Sequence, residues 1–336
     1  MMPPLLELLA ADGQRLCAAA QALGGQIDFD AQRVLRRDPA LALQPPGIWS
    51  ANRHCCLVEA ADGWIAVNLA RDDDLRSVPA WIGCAADAEP WQAIVAAAQT
   101  QSCETLLAQA YFLAMPVAKV GEAEAAIPRQ SGPSQAKRSA QSLRTVDLSA
   151  LWAGPLCGGL LAEAGAQVTK IESSARRDPT PQTTPLLDEQ LNRRKRRLVL
   201  DFSLAADLAR MIEMIAGADV LITSARPHAL ARLGLKPEEL FAANPKLIWV
   251  AITAYGWGDD TALRIGFGDD CAAAGGLLDW EHGVPRFIGD ALADPLTGVT
   301  SAIAALEAVA AGRSGLLDVA LAPVAAIYAQ RAGLTT

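Results

Sequence analysis

The stretch that decides the fold is VDLSALWAGPLCGGLLAEAGAQVTKIE at residues 146–172. Its pattern predicts a strand over 145–148, a tight turn at 153–155, a helix over 156–164 and a second strand over 167–171. A strand, a helix and a strand in that order predict a βαβ unit with parallel strands. The N-terminus of the helix would then point beyond the strand ends, a position that attracts phosphate.

The same alternation of strands and helices continues through the rest of the C-terminal half. Short β-rich runs predict strands at 197–202, 219–223 and 247–252, with helical patterns between them. This alternation predicts an α/β fold with a doubly wound, mostly parallel, Rossmann-like sheet. Sheets of this kind bind ligands at the carboxyl ends of their strands.

The N-terminal part predicts a smaller α+β domain. Two apolar runs around Asp62-Gly63 are typical of a β-hairpin, and helical patterns precede and follow it. Between residues 121 and 142 the composition shifts to Ser, Gln, Pro, Lys and Arg, which is typical of a linker. We therefore expect a small domain at 1–120, a linker at 121–142 and a ligand-binding domain at 143–336.

Composition and charge exclude several classes of protein. The net charge of -8 argues against general nucleic-acid binding. The N-terminus lacks a basic segment followed by an apolar run, so we expect no signal peptide. No apolar run approaches the roughly 20 residues needed to cross a bilayer. Seven scattered cysteines fit a reduced compartment, and three histidines show no metal-site spacing. We expect a cytoplasmic protein without a bound metal.

A run of five basic residues, Arg193 to Arg197, stands immediately before a predicted strand. It is open to three interpretations: a solvated turn, a nucleic-acid patch, or a clamp for the phosphates of a small ligand. The acidic net charge and the lack of interleaved aromatic residues disfavour the nucleic-acid patch. An NAD site is a further alternative because Glu172 ends the second strand. The turn, however, lacks the G-x-G-x-x-G pattern, and Pro155 removes a backbone donor.

Two carboxylates precede an apolar helical stretch in FIGDALADPLTG, at Asp290 and Asp294. Asp294 followed by Pro295 is typical of a helix N-cap and first helical residue, so capping alone would explain it. A carboxylate at a helix N-terminus is also held ionised, which is the state that a carboxylate nucleophile needs. The two roles are compatible, and both stay open at this point.

Taken in order, these segments resemble CoA-transferase family III, the group that includes formyl-CoA transferase, carnitine-CoA transferase and alpha-methylacyl-CoA racemase. The matching motifs are DLSALWAGPLCGGLLAEAGAQVTKIE at 147–172, NRRKRRLVLD at 192–201, ADVLITSARPHALARLGL at 218–235, NPKLIWVAITAYG at 244–256 and GDALADPLTG at 289–298. They cover nearly all of the second half. The hairpin segment DGWIAVNL at 62–69 resembles one that follows the large domain in that family. The resemblance therefore implies a permuted domain order.

The resemblance also implies roles for particular residues. The family's catalytic aspartate stands four residues before a glycine that enters an apolar helix. That pattern falls on Asp294 and Gly298, with Asp290 as a weaker second choice. The coenzyme A site that the resemblance implies consists of Leu151, Trp152, Ala153, Lys195, Arg196, Ser224, Ala225 and Arg232. The basic run and the helix N-terminus would then both face the phosphates of CoA.

The function that the resemblance implies is an acyl-CoA:carboxylate CoA-transferase that forms homodimers and acts on acyl-CoA and small carboxylic acids. It would work through an aspartyl mixed anhydride and an aspartyl-CoA thioester. One alternative is an acyl-CoA racemase or isomerase on the same fold. It is disfavoured because Ile265-Gly266-Phe267 lacks the histidine that the racemases carry in that loop. The other alternative is a degenerate, non-catalytic CoA-binding protein.

Overall fold

The computed structural model describes residues 3–131, 139–258 and 261–334. The strands are β1 (Cys55–Ala60), β2 (Gly63–Asn68), β3 (Val117–Lys119), β4 (Arg129–Ser131), β5 (Arg144–Asp147), β6 (Gln167–Ser173), β7 (Arg196–Leu200), β8 (Val220–Thr223), β9 (Ile248–Thr253), β10 (Leu278–Glu281), β11 (Val284–Phe287) and β12 (Gly315–Ala320). The helices are α1 (Pro3–Gln21), α2 (Ala31–Leu35), α3 (Asp72–Ile82), α4 (Pro90–Ala98), α5 (Cys103–Phe112), α6 (Ala153–Glu163), α7 (Thr180–Thr183), α8 (Pro185–Asn192), α9 (Ala205–Ala216), α10 (Pro227–Arg232), α11 (Pro237–Ala243), α12 (Gly268–Ala274), α13 (Ala293–Ala310) and α14 (Leu321–Arg331).

The main sheet has seven strands in the order β4-β12-β9-β8-β5-β6-β7. All its neighbouring strands are parallel except β4, which runs antiparallel to β12 at one edge. From β5 the chain builds outward through β6 and β7, and then crosses over to build β8, β9 and β12 on the other side. The strand order therefore reverses between β5 and β8. In open α/β sheets the carboxyl ends at such a reversal form the ligand-binding crevice.

Both faces of this sheet are covered by helices. On β9, Ile248 and Val250 join one core together with α1, α6, α13 and α14. Trp249 and Ala251, on the opposite face, join another core with α9, α10 and α11. Side chains of a strand point alternately to the two faces, so a doubly covered strand is apolar throughout. The predicted α/β fold with a doubly wound sheet is confirmed.

The second turn of α13 lies against the first turn of α6. Gly298 marks the contact, because a Cβ atom at this position would lie 2.8 Å from the carbonyl oxygen of Ala153 and 2.8 Å from a methyl group of Leu156. Only a residue without a side chain lets the two helices approach this closely. The contact brings the start of α13, where Asp294 lies, beside the turn that follows β5.

The N-terminal unit is built on the hairpin that the sequence predicts. Strands β1 and β2 are antiparallel, and Ala60 pairs with Gly63 across the turn. Strand β3 completes this small sheet. Its core includes Val58, Ile94 and Leu106 and so joins the sheet to α4 and α5.

Helix α1 packs against the main sheet and its helices, and not in the core of the N-terminal unit. Its stripe of Leu5, Leu9 and Leu16 joins the core of the main sheet, and Arg15 pairs with Glu307 of α13 at 2.6 Å. The packing therefore differs from the expected division into 1–120 and 143–336, because the apolar face of α1 is buried against α13. Part of the expected linker at 121–142 forms the edge strand β4, and residues 132–138 lie outside the described residues. The domain boundary itself stays a prediction.

Candidate active site

The turn after β5 lies where the strand order reverses. The N–H of Ala150 donates a hydrogen bond to Oγ of Ser224, 3.0 Å away, and so joins the ends of β5 and β8. Ala225 follows on the exposed side of the same edge. The structure thus brings together the predicted turn residues and two further predicted CoA-binding residues, Ser224 and Ala225.

The backbone of this turn is strained at Leu151. Its φ of 68° lies in the left-handed region, which costs a residue with a side chain about 1–2 kcal/mol. Its N–H points at the carboxylate of Asp178, 3.3 Å away. The Leu151 side chain is 43% exposed, whereas Trp152 and Ala153 are buried beneath it. Strain of this kind persists where surrounding contacts fix the backbone, and it concentrates at functional sites.

Asp294 is the second residue of α13 and not its cap. The helix begins at Ala293, and the residue in the N-cap position, Leu292, makes no side-chain capping bond. The chain turns at Ala291, two residues before the helix begins, because Ala291 takes a φ of 45°. The N–H of Asp294 donates to the carbonyl of Ala291 at 2.9 Å. Capping therefore does not explain this carboxylate.

The Asp294 side chain is half-buried and lies against the start of α12. A Cβ atom at residue 268 would lie 2.5 Å from Oδ2 of Asp294 and 2.5 Å from the carbonyl oxygen of Ala291. A glycine is therefore needed at position 268. Its backbone N–H donates a hydrogen bond to the Asp294 carboxylate.

The electrostatic surroundings of Asp294 oppose its ionisation. Burial raises its pKa to about 7, and the carboxylates of Asp269 and Asp290 add to the increase, while the guanidinium of Arg37 opposes it. Burial, followed by the charge of Asp290, raises the pKa of Asp269 to about 6. Perturbed carboxylates at the edge of a sheet are typical of functional sites. Near neutral pH, Asp294 therefore exchanges between protonated and ionised forms.

Two side chains from the N-terminal third hold this acidic cluster together. Arg37 Nε lies 2.8 Å from Oδ2 of Asp290. Asn52 Nδ2 lies 3.0 Å from Oδ2 of Asp269 and 3.4 Å from Oδ1 of Asp290. Neither residue was predicted as a site residue, because each is a single polar residue in a loop without a motif around it.

The side chains of the basic run at 193–197 differ in burial: Lys195 is buried and the four arginines are exposed. The side chain of Lys195 is fully buried, with its Nζ 2.7 Å from Oδ2 of Asp147 and 2.7 Å from the carbonyl oxygen of Pro155. The ammonium group of Lys195 is thus bound by the end of β5 and the first turn of α6, and a contact between Lys195 and CoA stays a prediction. Burial without such partners would be prohibitively costly for this charge.

Arg196 and Arg232 are exposed, as the predicted phosphate contacts require. Thr169 of β6 pairs with Val146 on one side and with Arg196 on the other, so β7 begins level with the carboxyl half of β5. Arg232 is the last residue of α10. Direct contact of either residue with CoA stays a prediction.

Arg226, which was not predicted as a site residue, lies just after the carboxyl end of β8. Arg226 follows Ser224 and Ala225 directly and precedes the first residue of α10. Burial, and then the positive charges of Arg71 and Arg176, lower the pKa of Arg226. In the described part of the chain no carboxylate pairs with Arg226. Arg71 is itself paired with Asp74, whereas the charge of Arg226 at the end of β8, unpaired among the residues described, is of the kind that attracts an anion such as phosphate.

Other features lie apart from this site. A cavity of about 540 Å³ opens between α5, β3 and residues 263–265, and its lining includes none of the acidic cluster. Among the residues described, no group of three His, Cys, Asp or Glu side chains has the geometry to hold a metal ion. None of the helices in the described ranges is long and apolar enough to cross a membrane.

Comparison with known proteins identifies a family. A family model described as CoA-transferase family III matches residues 141–334. The succinyl-CoA–D-citramalate CoA-transferase of Chloroflexus aurantiacus is 30% identical over 182 residues, which is 51% of this chain and 45% of that protein. An acyl-CoA transferase of Fusarium pseudograminearum is 30% identical over 234 residues, which is 62% of this chain and 51% of that protein.

A solved structure supports the same relationship. The crystal structure of a CAIB/BAIF family protein from Brucella suis has a TM-score of 0.53 and 29% sequence identity, covering 58% of this chain and 56% of that one. The chain spans about half the length of the curated relatives it matches.

Proposed function

The chain belongs to CoA-transferase family III, and from this premise we propose that it is an acyl-CoA:carboxylate CoA-transferase with Asp294 as the nucleophile. One observation carries the proposal. A half-buried, partly accessible carboxylate stands at the start of α13, beside the turn of the sheet where the strand order reverses. A nucleophile must be accessible and still desolvated, and Asp294 meets both conditions.

The chemistry proceeds by four acyl transfers. The Asp294 carboxylate attacks the thioester carbonyl and expels CoA thiolate, which leaves a mixed anhydride on the enzyme. The thiolate then attacks the aspartyl carbonyl, releasing the first carboxylic acid and forming an aspartyl-CoA thioester. An incoming carboxylate attacks this thioester and expels CoA thiolate again. The thiolate finally attacks the carbonyl of the new acyl group, forming the product thioester and restoring the Asp294 carboxylate.

The positively charged edge supplies a place for the phosphates of CoA. Arg226, Arg176 and the exposed Leu151 turn lie at the same end of the sheet. Guanidinium groups bind phosphate with two parallel hydrogen bonds, so Arg226 would anchor the diphosphate while the thioester reaches Asp294. A relative's name mentions succinyl-CoA and citramalate, which favours small carboxylic acids as acceptors. The homodimer and the permuted domain order implied by the family resemblance stay predictions.

Free CoA is expected to bind the purified protein, and Arg226→Ala is expected to weaken this binding roughly 10- to 100-fold. The reason is the loss of charge-assisted hydrogen bonds to phosphate. Isothermal titration calorimetry measures the dissociation constants without requiring a choice of acyl group. NAD and AMP serve as control ligands.

Arg210→Ala is the matched control, because Arg210 is an exposed arginine on α9. Its dissociation constant for CoA is expected to equal that of the wild type. If the protein bound no CoA, or preferred NAD, family membership would indicate only the fold and the transferase proposal would be withdrawn. If Arg226→Ala bound CoA as tightly as the wild type, the phosphates would have to lie elsewhere.

A further inference from the structure

Arg37 links the two halves of the candidate active site. Its guanidinium lies 5.3 Å from the centre of the Trp152 ring, in the turn that precedes α6. Its Nε also lies 2.8 Å from the Asp290 carboxylate, four residues before the nucleophile. The side chain is 20% exposed, so the cation is largely removed from water. A shielded cation between an aromatic ring and a carboxylate is held in one place by both.

Asn52 holds the carboxylates of Asp269 and Asp290 in place. Its Nδ2 donates to both Asp269 and Asp290, and its Oδ1 accepts from Oγ of Ser50 at 2.8 Å and from the N–H of His54 at 2.9 Å. With both ends of the amide engaged, the side chain has one orientation. Asn52 therefore acts as a rigid spacer between carboxylates that would otherwise repel one another.

We propose that Arg37 is a positioning residue of the reaction, supported by Asn52: it neutralises Asp290 and rests on Trp152, and so leaves Asp294 free to act as the nucleophile. The proposal rests on the proposed transferase function. It assigns part of the catalytic site to residues 37–52, outside the segment 141–334 that matches the family model. Arg37 would act through Asp290 and through its charge, without touching the substrate.

The charges around Asp294 explain why a cation is needed. Asp269 and Asp290 both disfavour its ionisation, as does burial, and Arg37 is the cation that opposes them. Cys271, also buried beside Asp294, stays protonated because burial raises the pKa of its thiol well above the ordinary value. Without Arg37, closely spaced carboxylates would retain protons to higher pH. The ionised fraction of Asp294 at neutral pH would then fall.

The pH dependence of kcat/KM tests the proposal. The wild-type rate is expected to rise with pH through a midpoint near 7, because only the ionised form of Asp294 attacks. Arg37→Gln is expected to move that midpoint upward by about one pH unit, so that the loss is about sevenfold larger at pH 6.5 than at pH 9. Arg37→Lys, which keeps the charge, is expected to stay close to the wild type. Arg36→Gln removes an exposed neighbouring charge and should leave the profile unchanged.

Two results would overturn the proposal: an Arg37→Gln profile identical to the wild type, or a loss by the same factor at every pH. Melting curves show whether Arg37→Gln is folded. If it is not, Asn52→Ala is expected to shift the midpoint in the same direction. Carbon-13 titration of the carboxyl groups, with Asp294→Asn to assign the signal, follows ionisation without turnover. Should the protein transfer no CoA, the proposed function fails, and this titration still decides whether Arg37 controls Asp294.

Discussion

Asp294→Asn is expected to lower the turnover of CoA transfer at least a thousandfold, while the affinity for free CoA stays within a few-fold of the wild type. An amide cannot form the anhydride or the thioester, so the covalent route is lost. The substitution is nearly isosteric, and the amide oxygen can still accept the hydrogen bond from Gly268. Transfer of label from acyl-CoA to an acceptor acid, combined with calorimetry for CoA, separates the two quantities.

Asp290→Asn is the informative comparison, because Asp290 is the second candidate from the sequence and is paired with Arg37. We expect it to retain a measurable rate. Treating the wild type with hydroxylamine during turnover should convert the aspartyl thioester into a hydroxamate, which mass spectrometry would locate at Asp294. Full activity of Asp294→Asn, or a hydroxamate at Asp290, would reject the assignment of the nucleophile.

Lys195→Met is expected to reduce the free energy of unfolding by about 3–5 kcal/mol. Both side chains of the Lys195 and Asp147 pair are fully buried, so removal of the cation leaves an unpaired carboxylate inside the protein. The lysines 170 and 195 hold the pKa of Asp147 below its ordinary value although burial opposes this. Urea unfolding at pH 7 measures the change.

Arg196→Met is the control, since the neighbouring side chain is exposed and its loss is expected to change the stability by no more than about 0.5 kcal/mol. Adding Asp147→Leu to Lys195→Met should restore much of the stability, because a buried ion pair replaced as a whole is often tolerated. A Lys195→Met protein with wild-type stability and weakened CoA binding would support the direct phosphate contact that the sequence suggested.

Local patterns in the sequence were sufficient to predict the sheet and the hairpin. The tight turn predicted at 153–155 was misplaced, because these residues begin α6 and the chain turns at 151–152. The strand and the helix on either side of that turn depend on neighbours within about ten residues, and so does the Asp62-Gly63 hairpin. The approach of Asp294 to the Leu151 turn follows from Gly298, whose contact with Ala153 requires the absence of a side chain.

The remaining parts of the site depend on contacts that a sequence does not display. Arg37 and Asn52 reach carboxylates more than 200 residues away, and no periodicity marks either of them. The basic run is uniform in sequence, but Lys195 lies in the bend before β7 and is buried, whereas Arg196 begins the strand and is exposed. The sequence shows the apolar face of α1, but it does not show that α13 buries this face.

The distance along the chain between Asn52 and its partner also has a consequence for biosynthesis. The two residues are separated by 217 positions, which a ribosome adding about 5–20 residues per second needs roughly 10–40 s to traverse. During that interval Arg37 and Asn52 of the nascent chain lack their partner carboxylates and remain accessible to chaperones. The proposed catalytic site can therefore form only after α12 and α13 have left the exit tunnel and folded back onto the part of the chain that was made first.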